Sequence, residues 1–195
     1  MTQSQLSAIF LIAGFVFILA ASTVGPPRLY QKPDVAVQLE LIANHQTTWA
    51  LSNLFYALAG VATALGLAIF SIHLLKNDDV TSWLVIAGAA AYVLGVAAYA
   101  IFLYRRTVDP AALFTNYAFT PLTAVFLGAI VTGLLLYGVA YLQAGYPGWL
   151  GITTIAGTVL IGGAALIFPV RFFASFPPQL LFLFTLAAGI VILRQ

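Results

Sequence analysis

The sequence has no cysteine among its 195 residues. Disulfide bonds, thiolate metal sites and thiol catalysis are therefore excluded. Charged residues are also scarce, at 6% of the chain, whereas about a quarter is usual in soluble domains. Because 63% of the residues are hydrophobic, the chain has too little polar surface for a soluble globular domain.

The longest stretch without charge lies between Asp109 and Arg171, where 61 residues contain no Asp, Glu, Lys or Arg. As one helix it would be roughly 90 Å long, about three times the hydrocarbon thickness of a bilayer. It must therefore fold back inside a membrane. The sequence Gly-Tyr-Pro-Gly at residues 145–148 supplies the turn.

Six apolar segments are long enough to span a membrane. They cover residues 5–23, 49–75, 80–104, 118–142, 149–168 and 178–194. We expect helices, because unpaired backbone groups are costly in lipid and no segment shows the alternation of barrel strands. The sequence thus predicts an all-α, polytopic transmembrane bundle of about six spans, forming a single domain over residues 1–195.

The first apolar segment ends in Ala-Ala-Ser-Thr at residues 20–23, which resembles the end of a signal peptide. Residues 1–5 contain no Lys or Arg, although a secretory leader normally begins with basic residues. We therefore expect this segment to be a retained span.

A half-polar segment, residues 34–48, precedes the second span. Pro33 suits a helix entry, and Asp34 can cap the free amides that follow it. Alternating Val and Leu from residue 35 to residue 41 equally fit a short strand, but the lipid boundary favours a helix. We expect an amphipathic helix that lies at the interface.

Basic residues are distributed unevenly between the two ends of this bundle. The odd-numbered connectors hold Arg28, Lys32, Arg105, Arg106 and Arg171. The opposite end holds Lys76 and Arg194. The positive-inside rule therefore places the odd connectors in the cytoplasm and both termini outside. A net charge of +2 is too small and too dispersed to indicate a nucleic-acid partner.

Several segments of the chain are similar to segments of a known protein family. They are IANHQTTWALSNLFYALAG at residues 42–60, YPGWLGITTIAG at residues 146–157 and a last span ending in GIVILR. Together with the polar first connector and the small-residue third span, they resemble a family of uncharacterised bacterial membrane proteins known only as a domain of unknown function. The resemblance covers most of the chain and implies a helical bundle in the bacterial inner membrane. It implies no activity and no functional residue.

The most polar membrane stretch begins the second span. Five of its side chains recur at helical spacing: His45, Trp49, Ser52, Asn53 and Tyr56. Such a stripe faces protein, because lipid cannot satisfy an asparagine amide. Hydrogen bonding between helices, worth about 0.6 to 2 kcal/mol per bond, is one interpretation. The other is a pocket near one leaflet for a small polar headgroup or ligand.

Three further side chains complete the predicted ligand-binding set: Tyr92, Arg105 and Arg106. Tyr92, like other tyrosines of the third and fourth spans, either lines the same cavity or simply packs. The two arginines either reach anionic lipid phosphates at the membrane surface or clamp an anionic or amphipathic ligand.

The two histidines do not form a joint cofactor site. His45 and His73 are 28 residues apart, about 42 Å along a helix, so they cannot hold one haem or metal between them. Each is expected to lie at the interface, with a separate ligand role as the alternative. The identity of any cofactor stays open.

Small residues are abundant on the predicted spans. The third span alone carries Ala87, Gly88, Ala91, Gly95 and Ala98. Spacings of three and four let helix backbones approach closely. The stripe predicts close packing within the bundle, or docking of a partner helix.

The spans also lack ionisable residues well inside them, on which proton-coupled transport and intramembrane proteolysis depend. The chain has no H-E-x-x-H motif, no phosphate-binding glycine loop and no carboxylate pair near a histidine. We therefore expect no enzyme. The expectation is a helical subunit or scaffold that packs with lipid, pigment or partner helices. Membrane lipids, partner subunits or a second copy would be its partners.

The alternative function is a passive transporter or channel for a small neutral or hydrophobic molecule, which needs no buried charge. It predicts a continuous polar path. That path would join Asn53 and Tyr56 to Tyr92, Tyr137 and the opposite surface.

Overall fold

A computed structural model of the chain describes residues 1–26, 29, 34–75, 79–111, 121–167 and 177–194. Within these ranges the chain forms helices and no strand. The helices are α1 (Gln3–Val24), α2 (Val35–Asn44), α3 (Gln46–Leu74), α4 (Asp79–Val108), α5 (Pro121–Gln143), α6 (Gly148–Ile167) and α7 (Pro177–Leu193).

The predicted all-helical bundle is confirmed. Each apolar segment proposed from the sequence corresponds to one helix, with boundaries that agree to within a few residues. Four helices, α1, α3, α4 and α5, are long and apolar enough to cross a membrane, whereas α6 and α7 are shorter apolar helices. The count of six spans therefore stays a prediction.

The segment before the second span is helical, as predicted, but it is shorter than residues 34–48. Asp34 caps α2 by accepting a hydrogen bond from the Ala36 backbone N–H at 2.8 Å. The helix ends at His45, whose backbone angles (φ −131°, ψ 38°) are not helical. Residues 46–48 therefore belong to α3. This break lets α2 leave the direction of α3.

The six apolar helices follow one another in a ring. Helix α1 packs against α3, α3 against α4, α4 against α5, α5 against α6 and α6 against α7, and α7 returns to α1. Short α2 packs on α3. One end of the bundle therefore brings together the end of α1, helix α2, the start of α3 and the end of α4.

Glycines set the close approach of α4 and α5. A Cβ on Gly95 would lie 2.9 Å from the Ile130 backbone N, and one on Gly133 would lie 3.0 Å from the Gly88 carbonyl oxygen. Side chains at these positions would push the backbones apart. Gly88 and Gly95, from the small-residue stripe of α4, are thus used for packing inside this chain.

Four basic residues on which the orientation argument depends lie outside the described residues: Arg28, Lys32, Lys76 and Arg171. The placement of both termini on the non-cytoplasmic side therefore stays a prediction.

Candidate functional site

The start of α3 is fastened to the end of α4 by side chains from both helices. The Trp49 indole donates a hydrogen bond to the Arg106 carbonyl oxygen at 3.1 Å. One turn further along α3, the Asn53 amide donates to the Thr107 hydroxyl at 3.0 Å. Thr107 in turn donates to the Leu103 carbonyl oxygen of its own helix. These bonds fix the register of α3 against α4 at this end of the bundle.

Arg106 is a buried cation in this arrangement. Its side chain is 6% exposed, and its guanidinium carbon lies 4.3 Å from the centroid of the Trp49 ring. An aromatic face stabilises a desolvated cation by about 2 kcal/mol. Of the two arginines expected at the rim of a site, Arg105 is exposed, whereas Arg106 is buried against Trp49.

A groove of about 530 Å³ opens next to this junction, a volume typical of small-molecule sites. Helix α2, the first turn of α3 and the end of α4 form its walls. Its lining residues are Leu39, Ile42, Ala43, Gln46, Trp49, Ala50, Thr107, Val108, Asp109, Pro110 and Ala111. Most of the lining is apolar. The amide of Gln46 and the carboxylate of Asp109 are both exposed polar groups.

Asn53 lies behind the groove and is not part of its lining. Its side chain is buried, and its carbonyl oxygen has no hydrogen-bond partner among the described residues. The nitrogen of the Asn53 side-chain amide is thus hydrogen-bonded to Thr107, whereas the oxygen of the same amide has no partner among the described residues.

The polar stripe of α3 divides between two neighbouring helices. Ser52 donates to the Ala21 carbonyl oxygen of α1 at 2.7 Å, and the Tyr56 hydroxyl lies 3.4 Å from the Ser22 hydroxyl. Trp49 and Asn53 face α4 instead. His45 lies at the break between α2 and α3, where its Nδ1 is 3.0 Å from the Leu41 carbonyl oxygen.

Tyr92 is not near the groove. It is fully buried in the bundle interior, where it belongs to a row of tyrosines contributed by α3, α4, α5 and the turn after α5. The buried members of this tyrosine row are Tyr56, Tyr92, Tyr99, Tyr137 and Tyr141, and half-buried Tyr146 lies beside Tyr141. The ring centroids are 6.2 Å apart for Tyr137 and Tyr141, and 5.9 Å apart for Tyr141 and Tyr146.

Several hydroxyls near this interior lack hydrogen-bond partners among the described residues. Thr63 is fully buried beside Tyr92 but outside hydrogen-bonding geometry. On α6, Thr154 and Thr158 are buried one turn apart and are likewise unpartnered. Buried polar groups of this kind are usually satisfied by ordered water.

Sequence reasoning found Trp49 but missed the rest of the groove lining. The signal was present: Leu39, Ile42 and Ala43 on α2 recur at spacings of three and one, as do Gln46, Trp49 and Ala50 on α3. Each triplet forms one helix face. The sequence analysis looked for stripes of polar residues, and such a stripe does not mark a groove whose walls are mainly apolar.

No protein-family model, curated protein or solved structure matches this chain. The resemblance to an uncharacterised bacterial membrane family therefore stays a prediction.

Proposed function

We propose that the chain is a non-enzymatic integral membrane protein that holds a membrane lipid in the groove between α2, α3 and α4, and acts as a helical scaffold around it. The groove carries this proposal. Its apolar walls suit an acyl chain, while the exposed amide of Gln46 offers a polar group to a headgroup. Helix α2 is short and half-polar, as helices that lie in the headgroup layer are.

The number of spans, the membrane and the orientation are proposed from the sequence. We propose six spans in the bacterial inner membrane, with both termini outside the cytoplasm. The ring of six apolar helices supports the span count. Reporter fusions at Lys76 and Gln195 should report the same side of the membrane. Opposite signals would mean that the number of spans is wrong.

Retention of lipid tests the proposed function. The protein would be purified in mild detergent, and native mass spectrometry would count the lipids bound per chain. Ala43→Trp fills the groove from α2 and should lower that count. Ala36→Trp is the control, because Ala36 is exposed on the same helix outside the lining. The same spectra would reveal a second copy or a partner subunit.

Two results would contradict the lipid-scaffold proposal. One is a wild-type chain that retains no lipid. The other is an equal lipid count for the two tryptophan variants and the wild type.

Passive conduction is the second candidate function, and the tyrosine row favours it. Tyr56 and Ser71 are 15 residues apart on α3, about 22 Å along the helix axis. The Tyr137 hydroxyl lies 2.6 Å from the Ser71 hydroxyl, and Tyr141 and Tyr146 extend the row beyond it. Three members of the tyrosine row, Tyr56, Tyr92 and Tyr137, belong to the polar path that the sequence predicts for a transporter.

Flux measurements in vesicles test this candidate. Protein-containing vesicles would have to pass water or glycerol faster than protein-free vesicles, and Tyr92→Phe would have to change that rate. Equal rates with and without protein would eliminate conduction of these solutes and leave the lipid scaffold.

A further inference from the structure

Two buried hydroxyls on α6 set this helix apart from its neighbours. Thr154 and Thr158 are 1% and 0% exposed, and neither hydroxyl has a hydrogen-bond partner among the described residues. A buried hydroxyl without a partner costs free energy, and a helical hydroxyl usually avoids that cost by donating to a carbonyl oxygen one turn back. Thr153, next to Thr154, does so at 2.7 Å from the Trp149 carbonyl oxygen. Hydroxyls on three other helices do the same, namely those of Ser71, Thr107 and Thr185.

Both threonines lie on the side of α6 that faces the interior of the ring. A Cβ on Gly151 would lie 2.7 Å from a backbone oxygen of α5, and a Cβ on Gly157 would overlap the Phe184 ring of α7. These two glycines therefore mark the sides of α6 that contact its two neighbours. At about 3.6 residues per turn, Thr154 and Thr158 lie between those two sides. The opposite side of the helix is exposed.

The spacing of the two hydroxyls suits one water molecule. Side chains four residues apart on a helix have Cβ atoms roughly 5 to 6 Å apart, and an O–H···O hydrogen bond is about 2.8 Å long. A water between the two hydroxyls can therefore bond to both, and buried waters make about two to four such bonds. Helices α5 and α6 contain no Asp, Glu, Lys or Arg, so this position suits an uncharged molecule and not an ion.

We infer that α6 carries an internal hydration site, in which one ordered water bridges the Thr154 and Thr158 hydroxyls. The site is separate from the lipid groove, which lies between α2, α3 and α4. It places water in the ring interior, where the polar path of the second candidate function would run.

Solid-state NMR in bilayers tests the hydration site. Full-length protein with labelled threonines would be reconstituted in phosphatidylcholine, and the rate of magnetisation transfer from water to each threonine side chain would be measured. Thr47, exposed at the start of α3, is the hydrated reference. Thr132, exposed in the middle of α5, is the lipid-facing reference. We expect transfer to Thr154 and Thr158 to be faster than transfer to Thr132, although both are buried.

Substitutions show whether one water serves both hydroxyls. Thr154→Val keeps the branched shape and removes one partner of the water, so transfer to Thr158 should fall to the rate of Thr132. Thr153→Val is the control, because the Thr153 hydroxyl already bonds to its own helix, and it should leave transfer to Thr154 and Thr158 unchanged. If Thr154→Val does not fold, Thr158→Val gives the same test, with the loss measured at Thr154.

Two results overturn the hydration site. One is transfer to Thr154 and Thr158 that is no faster than to Thr132 while Thr47 receives it. The other is undiminished transfer to Thr158 in folded Thr154→Val. Transfer to Thr132 as fast as to Thr47 would instead contradict the membrane location in the proposed function, and the Thr154→Val comparison would still decide the hydration site.

Discussion

Single polar side chains in the interior of this bundle tie neighbouring helices together. The Tyr137 hydroxyl of α5 lies 3.0 Å from the Leu67 carbonyl oxygen and 2.6 Å from the Ser71 hydroxyl, both on α3. Ser71 also donates to the Leu67 carbonyl oxygen. Helices α3 and α5 are thereby linked across the ring, although each has its main contacts elsewhere.

Removal of this phenolic hydroxyl should destabilise the fold. Tyr137→Phe keeps the ring and loses the contacts with Leu67 and Ser71, so we expect a loss of about 0.6 to 2 kcal/mol per hydrogen bond and a lower midpoint of thermal unfolding in detergent. Tyr104→Phe is the control, because Tyr104 is 69% exposed. Equal midpoints for both variants would show that the link between α3 and α5 contributes nothing.

Sequence alone identified which polar residues need partners but not which partners they have. Asn53 was expected to face protein, and it does, because its amide donates to Thr107. Whether a side chain on α3 meets α1 or α4 depends on how the helix is rotated in the bundle. Ser52 and Asn53 are adjacent in sequence, yet they bond to different helices, and composition carries no information on that rotation.

At the scale of helices, the α4–α5 pair shows how small residues set the spacing. A Cβ on Gly95 would meet the Ile130 side chain at 2.6 Å and the Phe126 carbonyl oxygen at 3.0 Å. On α5, Gly128 has nothing within 4 Å of the equivalent position. Gly95 therefore allows the close approach of α4 and α5, whereas Gly128 does not contribute to it.

Gly95→Ala should destabilise the bundle by about 1 to 3 kcal/mol, the usual cost of overpacking, because backbone atoms of α5 cannot move aside. Gly128→Ala should leave stability unchanged or slightly raised, since alanine favours the helix. Chemical unfolding in mixed micelles would compare the two variants. A more destabilising effect at Gly128 than at Gly95 would contradict the described packing of α4 on α5.

For the molecule as a whole, hydropathy was enough to predict the helices but not the groove. All six apolar segments are helical, as was predicted from the cost of leaving backbone hydrogen bonds unsatisfied in lipid. The groove arises from the break at His45, which turns α2 toward the end of α4. The polarity of residues 34–48 predicted a separate helix, but no Pro or Gly marks the break, so its position at His45 was not predicted.

Fluorescence of Trp49 tests the lipid-binding claim most directly. Trp83→Phe and Trp149→Phe would replace two exposed tryptophans and leave Trp49, which lines the groove, as the sole fluorophore. The protein would be reconstituted in phosphatidylcholine vesicles with and without brominated chains. A lipid held in the groove predicts that brominated chains quench Trp49, and that Ala43→Phe, which fills the groove, reduces this quenching, whereas Ala36→Phe outside the lining does not. No quenching in the wild type, or equal quenching in both phenylalanine variants, would contradict the account.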